Sequence, residues 1–324
     1  VPYVQGLEIQ RIPIDAPDEA KEIRARLNQV YEEQVERLKK IGFLEGKPKP
    51  STKDVLAAGD EIRRRLDQGE KDGRLFGAMT AQAIAMKANH AITLAETQGM
   101  GSLRSYFDRL ETEPKSRADT QFMKHGKVQE AVAIARETNA EHPKLKKTAW
   151  VVRDQFMAKP DSKVIVFTHY RETADTVTRE LTKLPGIRPM RFVGQSSKGV
   201  DIGLRQKEQV EILDKFRAGA INVIVATSIG EEGLDIPQVD LVVFYEPVPS
   251  EIRTIQRRGR TGRSARGKVV MLVTKDTRDE AFLYSARRKE RKMHQELDRL
   301  RRELKQRIFV GQAGSEMFVS AAPE

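Results

Sequence analysis

Two patterns of apolar residues divide the chain near residue 160. Before it, apolar side chains recur every three or four positions, as in Ala20, Ile23, Leu27 and Val30. This spacing is typical of amphipathic helices. After it, short β-branched runs such as residues 164–167 (VIVF) alternate with helical stretches. Strands that alternate with helices predict a parallel sheet, and continuously apolar strands suit a sheet that is covered on both faces.

These patterns predict the following elements. Helices are expected at 18–41, 51–68 (with Ser51 as N-cap), 75–97, 102–111, 116–138 and 143–158. Strands are expected at 163–168, 189–192, 222–226, 241–245 and 268–273, with helices at 171–183, 204–218, 250–259 and 277–307. The sequence therefore predicts an all-helical region followed by an α/β region with a parallel sheet.

Composition narrows the kinds of function. The net charge of +11 and the pI of about 9.7 favour a polyanionic partner, although a merely soluble basic protein would look the same. The chain has no Cys, which excludes disulfides, thiolate metal sites and Cys nucleophiles. The five His residues are scattered, so no metal site is predicted. Without a long apolar stretch or a signal pattern, an intracellular location is the default expectation.

The strongest chemical signal is the arginine string at residues 256–263 (QRRGRTGR). Gly between the arginines lets the backbone bend sharply, so several guanidinium groups can converge. Guanidinium groups match phosphate oxygens in charge and geometry, as a phosphoryl-transfer site requires. An arginine-rich surface loop is the alternative interpretation of the spacing.

Two further segments lie at the C-terminal ends of predicted strands, where open α/β sheets bind their ligands. In residues 225–237 (VATSIGEEGLDIP), Thr227 and Ser228 offer hydroxyls to a phosphate, and Asp235 offers a carboxylate to a ribose. A plain turn would also use Gly and Asp. In residues 167–171 (FTHYR), the side chains of Thr168, His169 and Arg171 suit a phosphate, although His169 also suits a packed or capping role.

Taken in order, the segments at 167–171, 227–237 and 256–263 resemble motifs IV, V and VI of superfamily 2 helicases. The resemblance is greatest to the archaeal Hef helicases and the Fanconi-anaemia M translocases, and it covers nearly the whole chain. Supporting segments are 191–195 (RFVGQ), 203–209 (GLRQKEQ), 244–250 (FYEPVPS) and, in the helical region, 94–99 (LAETQG). The resemblance implies a RecA-like parallel-sheet lobe preceded by an all-helical insert.

The implied domains are a connector from a first RecA-like lobe at 1–14, the helical insert at 15–158, a second RecA-like lobe at 159–275, and a C-terminal helix and tail at 276–324. By match to the family motifs, Arg260 and Arg263 are the arginine fingers that reach the γ-phosphate of ATP. Gln256, Gly233 and Asp235 are the other nucleotide contacts. The implied nucleic-acid contacts are Thr168, His169, Arg171, Gly194, Gln195, Lys198, Thr227 and Ser228.

The chain contains neither G-x-x-x-x-G-K-[ST] nor a D-E-x-H or D-E-A-D string. In this family those elements hold ATP and Mg²⁺, so we expect the first lobe to supply them in cis and this chain alone to be inactive. The resemblance implies forked, branched or single-stranded DNA as the partner, a nucleoid-associated location and, in some relatives, a nuclease domain. Two alternatives stay open, namely an RNA helicase or RNA sensor and a non-catalytic nucleic-acid-binding module.

Basic residues also mark the helical insert and the last predicted helix. The insert carries them at positions 39, 40, 47, 49, 53, 63, 64 and 65, and the last helix at 287, 288, 291, 292, 301 and 302. A track for a phosphate backbone and an ordinary solvated face both fit these charges. The salt dependence of binding distinguishes the two interpretations.

Overall fold

A computed structural model describes residues 9–70, 72–139, 141–194, 204–227, 239–247 and 268–284. The helices are α1 (Asp18–Ile41), α2 (Thr52–Asp67), α3 (Gly73–Thr97), α4 (Met100–Thr112), α5 (Arg117–Lys124), α6 (Gly126–Glu137), α7 (Pro143–Ala158), α8 (Arg171–Thr182) and α9 (Gln206–Arg217). The strands are β1 (Ile9–Ile14), β2 (Val164–Phe167), β3 (Pro189–Phe192), β4 (Val223–Ala226), β5 (Leu241–Phe244) and β6 (Lys268–Thr274). Residues 278–284 are also helical.

The helical bundle consists of α1 to α6, with α3 at its centre. Helix α3 packs against α1, α2, α4 and α5. Alanine is the commonest residue at its buried positions, including Ala78, Ala81, Ala85 and Ala88. A helix that is apolar on several sides is buried, and small side chains allow its neighbours to approach closely. Helix α3 is therefore the central helix of the bundle, and its C-terminal end reaches the junction with the sheet.

Local sequence signals fix most helix ends. Ser51 caps α2, as predicted, and the structure adds a capping box with Asp54. The single helix predicted at 116–138 is wrong, because α5 ends at Lys124 and α6 begins at Gly126. His125 lies between them, and its Nδ1 accepts a hydrogen bond from the Lys127 N–H at 3.2 Å, which caps α6. A histidine at this position gives little sequence signal for a break.

The sheet is parallel in every described pairing, with strand order β1-β6-β5-β2-β4-β3. The predicted α/β class with a parallel sheet after a helical region is confirmed. Strand β1 was not predicted: residues 9–14 (IQRIPI) include a proline and little continuous apolar sequence. They pair with β6, more than 250 positions away along the chain, from Ile9 with Val269 to Ile14 with Thr274. Such distant pairing leaves no local pattern to read.

Both faces of the sheet are covered. One face packs against α7 and α8 through Leu145, Val152 and Val177, among others. The crossovers from β2 to β3 and from β3 to β4 run in opposite directions across the sheet, so their right-handed helices α8 and α9 lie on opposite faces. Helix α7 was predicted within the helical insert, but its apolar face belongs to the core of the sheet.

The chain divides into two compact units, one up to Glu280 and the other from Ala281. The bundle and the sheet both lie in the first unit. The predicted domain boundaries at 14/15, 158/159 and 275/276 stay predictions. Among the helices that the structure describes, none combines the length and the apolar character needed to span a bilayer.

Candidate nucleic-acid and nucleotide interface

The carboxyl ends of the strands meet at one edge of the sheet. Phe167 is in register with Ala226 on one side and with Phe244 on the other, and Ala226 is in register with Phe192. The residues that follow these four form what we call the strand-end rim, namely 168–171, 193–194, 227 and 245–246. Motif segments separated along the chain therefore converge on one edge.

The segment after β2 makes a tight turn. Thr168 is fully buried, and its hydroxyl donates to the Tyr170 carbonyl at 3.0 Å. Its N–H donates to the Ala226 carbonyl at 2.8 Å, which joins the turn to β4. His169 is exposed, with its ring edge-on to Tyr170 at a centroid distance of 4.9 Å. Of Thr168 and His169, it is thus the His169 side chain that reaches the surface of the rim.

Arg171 joins the ends of β2 and β3. Its Nη2 donates to the Gly194 carbonyl at 3.0 Å. Thr227, partly exposed after β4, donates its N–H to the Phe192 carbonyl at 3.2 Å. The structure therefore brings Thr168, His169, Arg171, Gly194 and Thr227 together on the rim. Their contacts with nucleic acid stay predictions.

The remaining predicted site residues lie outside the described ranges. They are Gln195, Lys198, Ser228, Gly233, Asp235, Gln256, Arg260 and Arg263. The predicted helix at 250–259 and most of the last predicted helix lie outside them too.

A buried carboxylate, Glu246, occupies the inner side of the rim. One of its oxygens, Oε1, accepts the backbone N–H of His169, and Oε2 accepts the side-chain amide of Gln98 at 2.9 Å. Gln98 comes from the end of α3, and its own Oε1 accepts the Thr173 hydroxyl at 2.6 Å. Burial raises the pKa of Glu246 to about 7, although Lys144, the Gln98 amide and the His169 N–H each favour the ionised form. The carboxylate thus connects the bundle with the turn after β2.

Beside it lies a buried ion pair. Lys144 from α7 contacts Asp279, and both side chains are at most 1% exposed. The ammonium also donates to the Thr97 carbonyl at 3.4 Å and lies 5.3 Å from the ring centroid of Tyr245. Asp279 accepts the Thr274 N–H at 2.9 Å. A charge pair this deeply buried is tolerated because each ion has additional polar partners.

Glu96 makes a third connection at the end of α3. Its Oε1 lies 3.3 Å from the Arg24 guanidinium, and its Oε2 accepts the Arg278 N–H at 3.3 Å. The Arg24 side chain also donates to the Asp276 carbonyl at 2.8 Å. Burial raises the pKa of Glu96, while Arg278 and Arg24 oppose that shift. We call Glu96, Gln98, Lys144, Glu246 and Asp279 the polar junction.

His142 and Gly99 lie beside the polar junction. His142 caps α7, since its Nδ1 accepts the Lys144 N–H at 3.2 Å while Nε2 lies 3.0 Å from the Glu96 carbonyl. Burial lowers its pKa to about 3, with Lys144 adding to the effect. Gly99 has a φ of 103°, in the left-handed region, and a Cβ there would lie 3.0 Å from the Cβ of His142. Glycine is therefore required for this close approach.

Sequence reasoning missed the roles of the polar junction. Gln98 and Glu246 both lie in segments that supported the family resemblance, so their positions were marked but not their contact. Glu96 lies in the same segment as Gln98, whereas Lys144 and Asp279 gave no signal, because an isolated charged residue in a helical pattern predicts a solvated surface. Their partners lie far away along the chain.

Much of the charge on the bundle is paired locally. Arg63 lies 2.6 Å from Asp60, and Arg64 and Arg65 lie 2.7 and 2.9 Å from Glu61. The two arginines lower the pKa of Glu61 to about 2. Lys39 lies 2.6 Å from Glu36, and Lys47 contacts Asp54. This part of the bundle is less available to a phosphate backbone than its count of basic residues suggests.

Comparison with known proteins agrees with this architecture. Residues 19–142 match the family described as "Putative ATP-dependent RNA helicase, helical bundle", and residues 146–265 match "Helicase conserved C-terminal domain". The solved Hef helicase domain of Pyrococcus furiosus is similar with 44% identity and a TM-score of 0.71, over 88% of this chain and 59% of that one.

Two curated relatives are similar along most of this chain. "Putative ATP-dependent RNA helicase MJ1505" of Methanocaldococcus jannaschii is 35% identical over 90% of this chain and 36% of its own length. "DEAD-box ATP-dependent DNA helicase Fancm" of Drosophila melanogaster is 33% identical over 84% of this chain and 20% of its own length. The chain thus spans between a fifth and about a third of the length of these two relatives.

A parallel-sheet lobe of this kind, preceded by a helical bundle and carrying helicase motifs at its strand ends, defines the C-terminal half of a superfamily 2 helicase motor. The chain belongs to the Hef and Fanconi-anaemia M group of these helicases.

The family uses ATP with Mg²⁺. Within the ranges given above, His, Asp and Glu side chains form no group of three that could hold a metal ion. The described rim presents the exposed His169 ring and the partly exposed side chains of Arg171 and Thr227, groups that suit phosphate oxygens. The residues matched to the nucleotide lie outside these ranges.

Proposed function

We propose that this chain is the part of an ATP-dependent DNA helicase or translocase that grips nucleic acid and supplies the arginine fingers. One observation carries the proposal: five predicted nucleic-acid contacts from separate segments meet on one strand-end rim. They do so in a chain 44% identical to a solved Hef helicase domain. Gln195, Lys198 and Ser228 extend the same surface in the proposal.

The proposed chemistry assigns one task to each side chain. Arg260 and Arg263 neutralise charge that develops on the γ-phosphate, because guanidinium groups match phosphate oxygens. Gln256, Gly233 and Asp235 contact the nucleotide from this lobe. MgATP, when bound mainly by a first RecA-like lobe in cis, supplies the phosphoryl group whose transfer to water drives the motor. Repeated opening and closing between the lobes would move the grip along the backbone.

Forked or branched DNA is the proposed substrate, and the proposed setting is replication-fork repair. The helical bundle interrupts a motor and ends at the rim through α3, so it is placed to meet the second arm of a branched structure. A nuclease domain elsewhere in the complete protein is compatible with this role but is not required by it.

Loss of the arginine fingers tests the proposal. In the longer helicase, Arg260→Ala and Arg263→Ala should each lower the DNA-stimulated ATPase rate by roughly 10³–10⁵-fold. Affinity for forked DNA should change little, since the fingers act on the nucleotide. Arg153→Ala, on the exposed side of α7, is the matched control and should leave both quantities unchanged. Parallel loss of ATPase and DNA binding in the finger variants would contradict the assignment.

The isolated chain should not hydrolyse ATP. Its 324 residues contain no G-x-x-x-x-G-K-[ST] segment to hold the β- and γ-phosphates. DNA-stimulated phosphate release by the purified chain, absent from Arg260→Ala, would refute this part of the proposal. If the chain is instead a non-catalytic nucleic-acid-binding module, the finger variants in the longer protein should change neither the ATPase rate nor the affinity for forked DNA.

An RNA helicase or RNA sensor is the second candidate. Two findings favour it, namely the name of the bundle family and the name of the M. jannaschii relative. Forked DNA and duplex RNA of equal length should be compared side by side at several salt concentrations, because phosphate contacts make affinity salt-dependent. We expect tighter binding and greater ATPase stimulation with forked DNA. The reverse preference would transfer the proposal to RNA.

A further inference from the structure

Gln98 occupies a position between the bundle and the rim. It follows the last residue of α3 and is 7% exposed. Its amide group makes a bonded chain: the Thr173 hydroxyl donates to Oε1 at 2.6 Å, and Nε2 donates to Glu246 at 2.9 Å. Because Thr173 selects the oxygen, the NH₂ group is turned toward the carboxylate.

Glu246 links Gln98 to the strand-end rim. Its second oxygen accepts the backbone N–H of His169, in the turn that also carries Thr168 and Arg171. The carboxylate is 5% exposed, so water does not replace a lost partner easily. A residue of the helical bundle thus acts, through one buried side chain, on the backbone of motif IV.

We propose that Gln98 is a positioning residue for the strand-end rim: by holding Glu246, it fixes the His169–Arg171 turn in its nucleic-acid-binding geometry. The proposal rests on the proposed function only where it concerns nucleic acid. Gln98 itself touches neither nucleotide nor nucleic acid in this scheme. Its consequence is that a change at the end of α3 alters the grip of the sheet lobe.

The residue types fit this role. Alanine at 98 would leave a Glu246 oxygen and the Thr173 hydroxyl without their partner in a buried site. Glutamate at 98 would place two carboxylates side by side, where like charges oppose ionisation of both. Swapping the two side chains, however, keeps the bonds that run from Thr173 through positions 98 and 246 to His169, and loses only the donation of the Gln98 amide to the Thr97 hydroxyl at 2.8 Å. An amide at 246 donates to a carboxylate at 98, accepts the His169 N–H, and leaves the Thr173 hydroxyl its acceptor.

Swapping these two side chains provides the test. The variants are Gln98→Ala, Gln98→Glu, Glu246→Gln and the double variant Gln98→Glu with Glu246→Gln. Amide hydrogen exchange is measured for a peptide covering 168–172, and affinity for forked DNA is measured in parallel. We expect Gln98→Ala and Gln98→Glu to speed exchange of that peptide and weaken binding by about tenfold. The double variant should recover most of both losses.

The matched control is Gln82→Ala, which removes another buried glutamine of α3. Gln82 donates to the Val55 carbonyl at 3.4 Å, and this hydrogen bond lies inside the bundle. It should lower the melting temperature without changing exchange in 168–172. A merely structural role for Gln98 would make the two variants behave alike.

Each outcome decides the proposal. Unchanged amide hydrogen exchange of peptide 168–172 in Gln98→Ala overturns it. A double variant that loses as much as the losses of its two single variants added together also overturns it. If Gln98→Ala does not fold, the variants Gln98→Glu and Glu246→Gln and their double variant still form a complete double-mutant cycle. If the wild-type chain does not bind forked or single-stranded nucleic acid, the proposed function fails. The exchange measurement still judges the positioning role in that case.

Discussion

The helical bundle and the strand-end rim handle charge in opposite ways. On α2, the arginines at 63, 64 and 65 pair with acids three or four positions away on the same exposed helix face. At the rim and the polar junction, Gln98 reaches Glu246 and Lys144 reaches Asp279, both across more than 100 positions and both buried. Surface pairs of the first kind contribute little, whereas a broken buried pair is costly.

The number of charges in a region therefore does not locate the site. The bundle has the longer basic stretches, but much of that charge is already neutralised by neighbours. The rim has few charges, and its polar groups are held by partners from distant segments. We therefore expect substitutions at the junction to have large effects and substitutions on α2 to have small ones.

The largest expected effect concerns the Lys144–Asp279 pair. Lys144→Ala leaves a buried carboxylate without its cation, so the free energy of unfolding should fall by about 3–5 kcal/mol in urea denaturation. The double variant Lys144→Met with Asp279→Leu removes both charges and should be more stable than Lys144→Ala. Lys159→Ala, which breaks an exposed pair with Asp240, is the control and should cost less than about 1 kcal/mol. Equal losses for the two lysines would abolish the distinction between buried and surface charge.

The next effect is a pH dependence that comes from Glu246. Its pKa of about 7 in the folded state exceeds the usual value of 4.5, so the folded state binds this proton more tightly than the unfolded state does. Its contribution to stability should therefore fall as pH rises from about 4.5 to 7, by up to about 3 kcal/mol. Chemical denaturation of wild type and Glu246→Gln across this range measures the difference.

The subtraction is needed because two histidines act in the opposite sense. Burial lowers the pKa of His142 to about 3 and that of His90 to about 4, so both favour folding less as pH falls below 6.5. These contributions are common to both proteins. A difference between wild type and Glu246→Gln that does not change between pH 4.5 and 7 would contradict the buried-carboxylate interpretation.

A smaller effect lies in the bundle itself. Ser51→Ala removes the side-chain half of the α2 capping box, and should lower the free energy of unfolding by about 1 kcal/mol. Ser51→Asp keeps an N-cap acceptor, and thermal denaturation should show it closer to wild type. A cap is a local contact, so exchange of the rim peptide 168–172 should not change in either variant.

The smallest effect is expected for α2. Replacing Arg63, Arg64 and Arg65 with alanine, one at a time, should change the free energy of unfolding by less than about 0.5 kcal/mol each. Affinity for forked DNA should change less than for Arg171→Ala at the rim, which we expect to lose about tenfold. A loss larger than that of Arg171→Ala would instead identify α2 as a phosphate track.

Local patterns predicted those parts of the fold that local interactions determine. Helices α1, α2, α3 and α7 begin and end within two residues of their predicted bounds, because period, caps and glycines lie within each segment. The strands from β2 to β6 were found because each is a short apolar run. Strand β1 was missed because its partner is β6, and the break at His125 was missed because the apolar period continues through it.

The candidate site was predictable only in part for the same reason. Motif order placed Thr168, Gly194 and Thr227 after strands, and parallel pairing then puts them on one edge. The contact between Gln98 and Glu246 depends on how the end of α3 meets the sheet, 148 positions away along the chain. No spacing in a single sequence encodes that distance.

The proposed function requires the guanidinium groups of Arg260 and Arg263 to face a nucleotide held by another lobe. A structure of the longer helicase with Mg²⁺ and a non-hydrolysable ATP analogue measures this directly. We expect guanidinium nitrogens of both residues within about 2.7–2.9 Å of γ-phosphate oxygens. Side chains that point away from the nucleotide in the closed state would contradict it.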